Sequence, residues 1–323
     1  HLDRRLGRRG RAPSGGGQGV TARVVVTGAG TVNALAHDVP GTLAALARGD
    51  CAIGPLQLRD LDRLAIRIGA QVRDWPGLPG MAAREGALWD PFTRYALAAA
   101  DEALAMAGLT ATERAPAGAI IGTAAGGIST WEDNYRAVLA EGRDRVPPLV
   151  VPRLMHNAAA SHISIRHGLR GPSFSVSSAC ASASHAIGLA FQMVRSGQAP
   201  VMLAGGAEAM LVFGGIKAWE GLRVLSPTGC QPFDAARSGL VMGEGAAVFV
   251  LEDAAHAAAR GVDSERSERV RAMRKAAHDQ AKRAKDNDAD AAEPRALVTT
   301  LAAETRLVGI RKNWAPKKSP PRP

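Results

Sequence analysis

Residues 175–188 read SVSSACASASHAIG, a run of small side chains around a single cysteine, Cys180. A thiol attacks an acyl carbonyl as its thiolate, and an ordinary cysteine with a pKa of about 8.5 is mostly protonated at neutral pH. The first turn of a helix favours the anion, because its N–H groups are unpaired and the peptide dipoles turn their positive end there. The residues before Cys180 read as a strand and those after it as a helix, which puts the thiol at such a turn. Ser178, Ala179, Ala181, Ser182 and Ala183 leave room for a substrate and let a strand bend sharply into a helix. The alternative is an inert cysteine filling a core. Cys51 and Cys230 take that alternative, since neither opens a comparable helix. Three cysteines, odd in number and far apart, predict no disulfide framework and a reducing cytoplasm.

The elements that must hold Cys180 follow from periodicity. VTARVVVTGAG, from Val20, is a β-branched run ending in small residues and predicts a buried strand and its turn. A helix follows over 40–48, then irregular sequence to about residue 87. PFTRYALAAADEALAMAGL, 91–109, has apolar residues at helical spacing and Gly108 as a stop. AGAIIGTAAGG, 117–127, predicts a second strand running into a glycine turn, then a helix over 129–141, the extended RVPPLVVP and a helix over 154–168. PSFSVSSA is the strand into Cys180; Ala186, Ile187, Ala190, Phe191 and Val194 mark one face of the helix after it, which Gly197 closes. PVMLAGGAEAM and GAAVFVLED, 245–253, complete the strands. Alternating strands and helices predict an α/β fold with a mostly parallel sheet covered on both faces. Aromatic residues are only 4% of the chain, so the core is expected to be built from Ala, Val, Leu and Ile.

Charge divides the chain in three. The net charge is +10, but residues 20–261 hold 20 basic and 20 acidic side chains. The excess lies in residues 1–19, an Arg/Gly-rich leader expected to be disordered, and in 262–323. The latter is a charged run without an apolar stripe, either a solvated helix or disordered, ending in APKKSPPRP. A nucleic-acid-binding fold would show its basic footprint in the body, so no nucleic-acid partner is expected. No stretch approaches the ~18 consecutive apolar residues of a membrane span, and the leader lacks the apolar core of a secretory signal. GAGTVN, 28–33, has Asn33 where a dinucleotide fingerprint needs its third glycine, so Gly28 and Gly30 are read as turn residues. GTAAGG, 122–127, lacks the Lys-Ser/Thr of a phosphate loop. No cofactor and no metal is expected.

GPSFSVSSACASASHAIGLAFQMVRSG, VMLAGGAEAM, LSPTGCQPFDAARSGLVMGEGAAVFVLEDAAHAAARG and the opening VVVTGAG, taken in this order, resemble the β-ketoacyl-acyl carrier protein synthases. The resemblance is to their elongating, type II branch, including its nodulation-type relatives. It runs from about Val24 to Gly261 and covers the N-terminal half of that family's thiolase-like fold. It implies that Cys180 is the nucleophile that accepts an acyl chain from acyl carrier protein, before Claisen condensation with malonyl carrier protein extends the chain by two carbons. It also implies that the Cys180 N–H is one oxyanion donor, and that the partners are acyl carrier protein and a second synthase chain in a dimer. Arg145 and Arg223 match positions that face the acidic carrier protein; solvated arginines are the alternative. Trp219 either borders the acyl tunnel or is a core aromatic. Glycines in AGGAEAM and MGEGAA are expected to allow close packing around the site, without direct chemistry.

The family's HGTGT-type and GHxxGA-type histidine motifs have no counterpart after Gly261, where His278 is the sole histidine. The chain therefore reads as a synthase cut short, by a frameshift or a misjoined gene, with Val20 a candidate start and little or no condensing activity. His185 sits five residues after Cys180, an offset expected to turn it away from the thiol. His156, His162 and His167 are expected near the family's dimer interface in packing or surface roles. A non-catalytic partner of a complete synthase and a thiolase acting on coenzyme A thioesters are the competing functions.

Overall fold

The structure is a computed structural model that describes residues 22–78, 80 and 88–262. The leader at 1–19 and the charged tail beyond residue 262 lie outside the described residues. A five-stranded sheet has the order β1-β7-β6-β4-β5. Its strands are β1 (Val24–Asn33), β4 (Gly118–Gly122), β5 (Ser173–Val176), β6 (Val201–Glu208) and β7 (Gly245–Asp253). β4 pairs in parallel with both β5 and β6. β7 lies antiparallel between β6 and β1, so four of the five strands point one way. The sheet is thus mostly parallel, as the alternation predicts, with β7 the one reversed strand. No helix packed on the sheet carries the chain from β6 to β7, so the return lacks the crossover that makes neighbours parallel. A second, two-stranded sheet joins β2 (Gly54–Pro55) to β3 (Ile68–Gly69), in a region the sequence left irregular.

The helices are α1 (Val39–Arg48), α2 (Pro91–Ala107), α3 (Ala111–Arg114), α4 (Ile128–Tyr135), α5 (Val150–Leu154), α6 (Ala158–His167), α7 (Ser182–Arg195), α8 (Phe213–Gly221) and α9 (Ala254–Ala259). α2 starts where the Asp90 carboxylate accepts from the Phe92 N–H with Pro91 next in line, and it ends at Gly108 in the left-handed conformation. The helix expected over 129–141 is α4 extended by a π-turn, Arg136–Ala140. The expected extended segment contains α5, and the helix expected from 154 begins only at Ala158, because Met155 is extended.

Gly28 and Gly30 are a correction to the sequence reading. They lie inside β1, not in a turn, and a Cβ at either would stand 2.0 Å from the carbonyl oxygen of Ala103 or Ala99 on α2. Strand and helix backbones meet there because α2 presents the small, fully buried Ala99, Ala103 and Ala107.

Both faces of the sheet are covered, as alternation along the strands requires. Ala119, Ile121 and Leu203 join α2 and α6 in one core, while Ile120, Met202 and Ala204 join α7 in another. A third cluster, Leu56, Leu64, Leu211, Ile216 and Leu225, gathers the β2–β3 region and α8. These cores are dominated by aliphatic side chains and alanines, as the scarcity of aromatics predicts.

Candidate active site

β5 is the edge strand of the sheet and pairs with β4 from Ala119↔Ser173 to Gly122↔Val176. Beyond Val176 the chain turns through 177–181 into α7. Ala179 adopts φ +52°, the left-handed region that costs an L-residue roughly 1–2 kcal/mol. Cys180 follows it at the apex and is exposed. The helix proper begins at Ser182, with Ala181 as its N-cap and no side-chain oxygen capping it. The cysteine thus stands just before the first turn of the helix rather than within it, in the five-residue connection between Val176 and Ser182. Its side chain remains beside the positive end of a fourteen-residue helix.

The turn is tied at several points. The Ala181 N–H donates to the Ser178 carbonyl at 3.2 Å and the Ser182 N–H to the Ala179 carbonyl at 3.1 Å. The Ser182 hydroxyl accepts from the Ser178 N–H at 2.8 Å and donates to the Ala179 carbonyl at 2.7 Å. The Ser178 Oγ is 2.7 Å from the His185 Nδ1. His185 therefore engages the residue two before the cysteine, a structural link that the offset alone does not reveal.

Two glycines let α7 settle on the sheet. A Cβ at Gly122 would lie 2.3 Å from the Ser182 carbonyl carbon, and one at Gly206 would lie 2.6 Å from the Ala183 Cβ. The AGGAEAM glycines thus do allow close packing beside the cysteine; Gly205 similarly passes the Ala247 carbonyl oxygen.

The neighbouring junction, from β4 into α4, is organised by Glu208 at the end of β6. Its carboxylate accepts from the Ala124 N–H at 2.6 Å, the Ala125 N–H at 3.2 Å and the Thr123 hydroxyl at 3.2 Å. Burial pushes its pKa up, and the three hydrogen bonds, with the nearby His156, oppose that rise. His156 lies over Gly126 of this junction. His162 accepts the Trp89 indole N–H at 3.1 Å, and burial lowers its pKa.

The remaining sequence-predicted residues sit on other elements. Arg145 is exposed in the loop between α4 and α5. Arg223 is exposed just past α8 at φ +57°. Trp219 packs on the apolar cluster around α8. The sequence reading named Ala179 and Ser182 only as small residues around the thiol, and it missed Glu208. The signal for Ser182 was a hydroxyl at the start of a helix; backbone strain at Ala179 has no sequence signature.

The family model for "Beta-ketoacyl synthase, N-terminal domain" matches residues 21–257. The chain belongs to the β-ketoacyl synthase family. Among relatives, Nodulation protein E of Rhizobium sp. (strain N33) is 44% identical over 241 residues, and 3-oxoacyl-[acyl-carrier-protein] synthase 2 of Vibrio harveyi is 36% identical over 247 residues. Each alignment takes in 74% of this chain and 60% of the relative. A solved type II polyketide ketosynthase, in complex with its acyl carrier protein and bound to the hexaketide, superposes with a TM-score of 0.66 at 25% identity. That superposition covers 75% of this chain and 60% of the other. The chain thus spans about 60% of the length of the synthases it matches. The fold is the mixed α/β arrangement of the ketosynthases over their N-terminal portion, as the resemblance implied.

Proposed function

We propose that this β-ketoacyl synthase domain supplies the acyl-accepting thiol of a condensing acyltransferase in fatty acid or polyketide synthesis, and that Cys180 is that thiol. The observation that carries the reading is the exposed cysteine on a strained turn at the N-terminal end of α7, inside the segment that matches the family. In the first transfer the Cys180 thiolate attacks the carbonyl carbon of an acyl carrier protein thioester. The tetrahedral intermediate collapses, the carrier's thiolate leaves, and the acyl group remains on Cys180. The backbone N–H of Cys180 serves as one donor to the oxyanion.

In this reading Arg145 and Arg223 offer exposed guanidinium groups to the acidic carrier protein, and neither is engaged in an ion pair among the described residues. Trp219, packed on the apolar cluster around α8, borders the acyl tunnel in this reading. A second synthase chain completes a dimer, for which the open edge of β5 and the exposed Leu139 and Val151 offer unpaired backbone and apolar surface. The reaction takes place in the cytoplasm; among the described residues no helix is long and apolar enough to cross a membrane.

Intact-mass measurement of the chain after incubation with acyl carrier protein thioester tests the assignment. The acyl mass is expected on the wild type and absent from Cys180→Ala; an unmodified wild type refutes it. Added malonyl carrier protein is expected to yield no condensation above the Cys180→Ala control. The histidine motifs implied by the resemblance are not in these 323 residues, and general acid–base groups contribute ~10²–10⁴ in rate.

A further inference from the structure

We infer that Ser182 is a positioning residue for Cys180: its buried hydroxyl holds the left-handed turn that presents the thiol. This rests on the reading of Cys180 as the acyl acceptor and extends it to a residue that does not touch the substrate.

A left-handed conformation at a residue with a Cβ persists where its surroundings over-determine it. Ala179 is such a residue, and the reactive position follows it directly. Ser182 is 3% exposed, and from the exit side of the turn its hydroxyl reaches back to the two residues that precede Cys180. It accepts from the Ser178 N–H on the entering side at 2.8 Å and donates to the Ala179 carbonyl at 2.7 Å. The same residue fixes the turn to the sheet, since its carbonyl group lies against Gly122 of β4 at a distance that admits no Cβ. Cys180 therefore rides on a loop whose two ends are joined through one oxygen atom, with that oxygen anchored to the first residue of α7.

The geometry gives this hydroxyl a purpose that capping does not explain. No side chain caps α7, and the Ser182 Oγ instead serves the residues ahead of the helix. Without it, the Ser178 N–H and one lone pair of the Ala179 carbonyl lose their partner. The turn then keeps only its two backbone ties, from the Ala181 N–H to Ser178 and from the Ser182 N–H to Ala179, and relaxation of Ala179 toward negative φ would swing Cys180 away from the helix end. Misplacement of a reacting group by about 1 Å costs as much as about a hundredfold in rate.

The test uses the full chain and two variants, Ser182→Ala and Ser182→Thr. The readouts are the rate of iodoacetamide alkylation at Cys180 as a function of pH and acylation from acyl carrier protein thioester. Ser182→Ala is expected to slow both at Cys180 by about ten- to hundredfold across the pH range. Labelling of the Cys51 and Cys230 peptides and the far-UV circular dichroism should stay unchanged. Ser182→Thr, which keeps the hydroxyl, should recover to within about threefold of the wild type. Ser182→Ala alkylation within about twofold of wild type across the pH range overturns the inference, and so does a Ser182→Thr chain that folds but is as slow as Ser182→Ala. A Ser182→Ala chain that no longer folds also overturns it, because the hydroxyl would then hold the domain and not the turn. Failure of the acyl-acceptor reading has a different signature: the wild type itself would take up no acyl group, whatever its alkylation rate.

Discussion

Two strand-to-helix junctions lie side by side at one end of the sheet, because β4 and β5 are parallel neighbours, and they are closed in different ways. After β4, the left-handed position falls on Gly126 at φ +59°, which costs a glycine nothing. The junction is tied from outside by the Glu208 carboxylate of β6, some 83 to 85 residues away in sequence. After β5, the left-handed position falls on Ala179, which has a Cβ, and the tie is the hydroxyl of Ser182 three or four residues on. The first junction is scaffold: relaxed, partly buried and held by tertiary contact. The second concentrates strain and an exposed thiol, and it is held by its own helix. A reactive group can thus be presented on a strained turn when the strained segment closes on itself and only its anchor, at Ser182, rests on the sheet.

The largest effect is expected where the two junctions touch. Gly122 ends β4 and underlies the first residue of α7, so Gly122→Val forces a side chain against the Ser182 backbone. The expected loss is about 3 kcal/mol of stability, read from the urea midpoint, together with loss of preferential alkylation at Cys180. A midpoint that does not move would mean that α7 does not rest on β4 as described.

Removing the outside tie should separate the junctions. Glu208→Ala leaves the Ala124 and Ala125 N–H groups without their acceptor and is expected to cost about 2 kcal/mol. Alkylation of Cys180 should keep its wild-type rate. A slower thiol in this variant would show that the second junction depends on the first, and the contrast between them would fail.

A smaller effect is expected in the pH dependence of stability. Burial raises the pKa of Glu208 above its ordinary 4.5, so the folded state binds its proton more tightly than the unfolded chain. The contribution is therefore most favourable below 4.5 and is lost as pH rises through the folded-state value. Glu244 behaves the same way and more strongly. It accepts from the Val72 N–H and the Tyr95 hydroxyl, and burial pushes its pKa up to about 7. Its contribution falls between about pH 4.5 and 7. In a Glu244→Gln background, which keeps an acceptor oxygen, thermal melts at stepped pH should show a residual slope shared by Glu208, Asp90 and Glu102, whose pKa values burial also raises, and Glu208→Gln should reduce it. A slope unchanged by Glu208→Gln would remove the buried carboxylate from the account of the first junction.

The smallest effect belongs to the thiol itself. Cys180 is exposed, so Cys180→Ala should alter stability by no more than about 0.5 kcal/mol while abolishing acyl uptake. A larger loss in the urea midpoint would return Cys180 to the core-filling role that the sequence left open.

Much of this was legible in the order of residues. Strand β7 falls at 245–253 as read, and α2 ends at Gly108 as read, since a two-residue alternation or a helical stripe closed by a left-handed glycine is a local signal. Gly28 and Gly30 were misread because a glycine in sequence says only that a Cβ is unwelcome. Whether a turn or a neighbouring backbone excludes it depends on α2, more than 65 residues away. The antiparallel insertion of β7 was hidden for a related reason, since strand direction is a property of the connection and the 222–244 segment carries no periodicity to announce it.

By itself the sequence determined the covered α/β sheet, the scarcity of aromatics in the core and the family. The first two depend on composition and on spacing along the chain, which physics reads locally, and the third on a resemblance of ordered motifs. The tertiary structure decided that Ala179 is left-handed, that the Ser182 hydroxyl serves the turn and not the helix, and that Glu208 closes the loop beside it. The Glu208 tie joins segments 83 to 85 residues apart. The turn at 179–182, though local, competes with ordinary capping for one hydroxyl and rests on Gly122 of β4, so both are resolved only when the sheet is assembled.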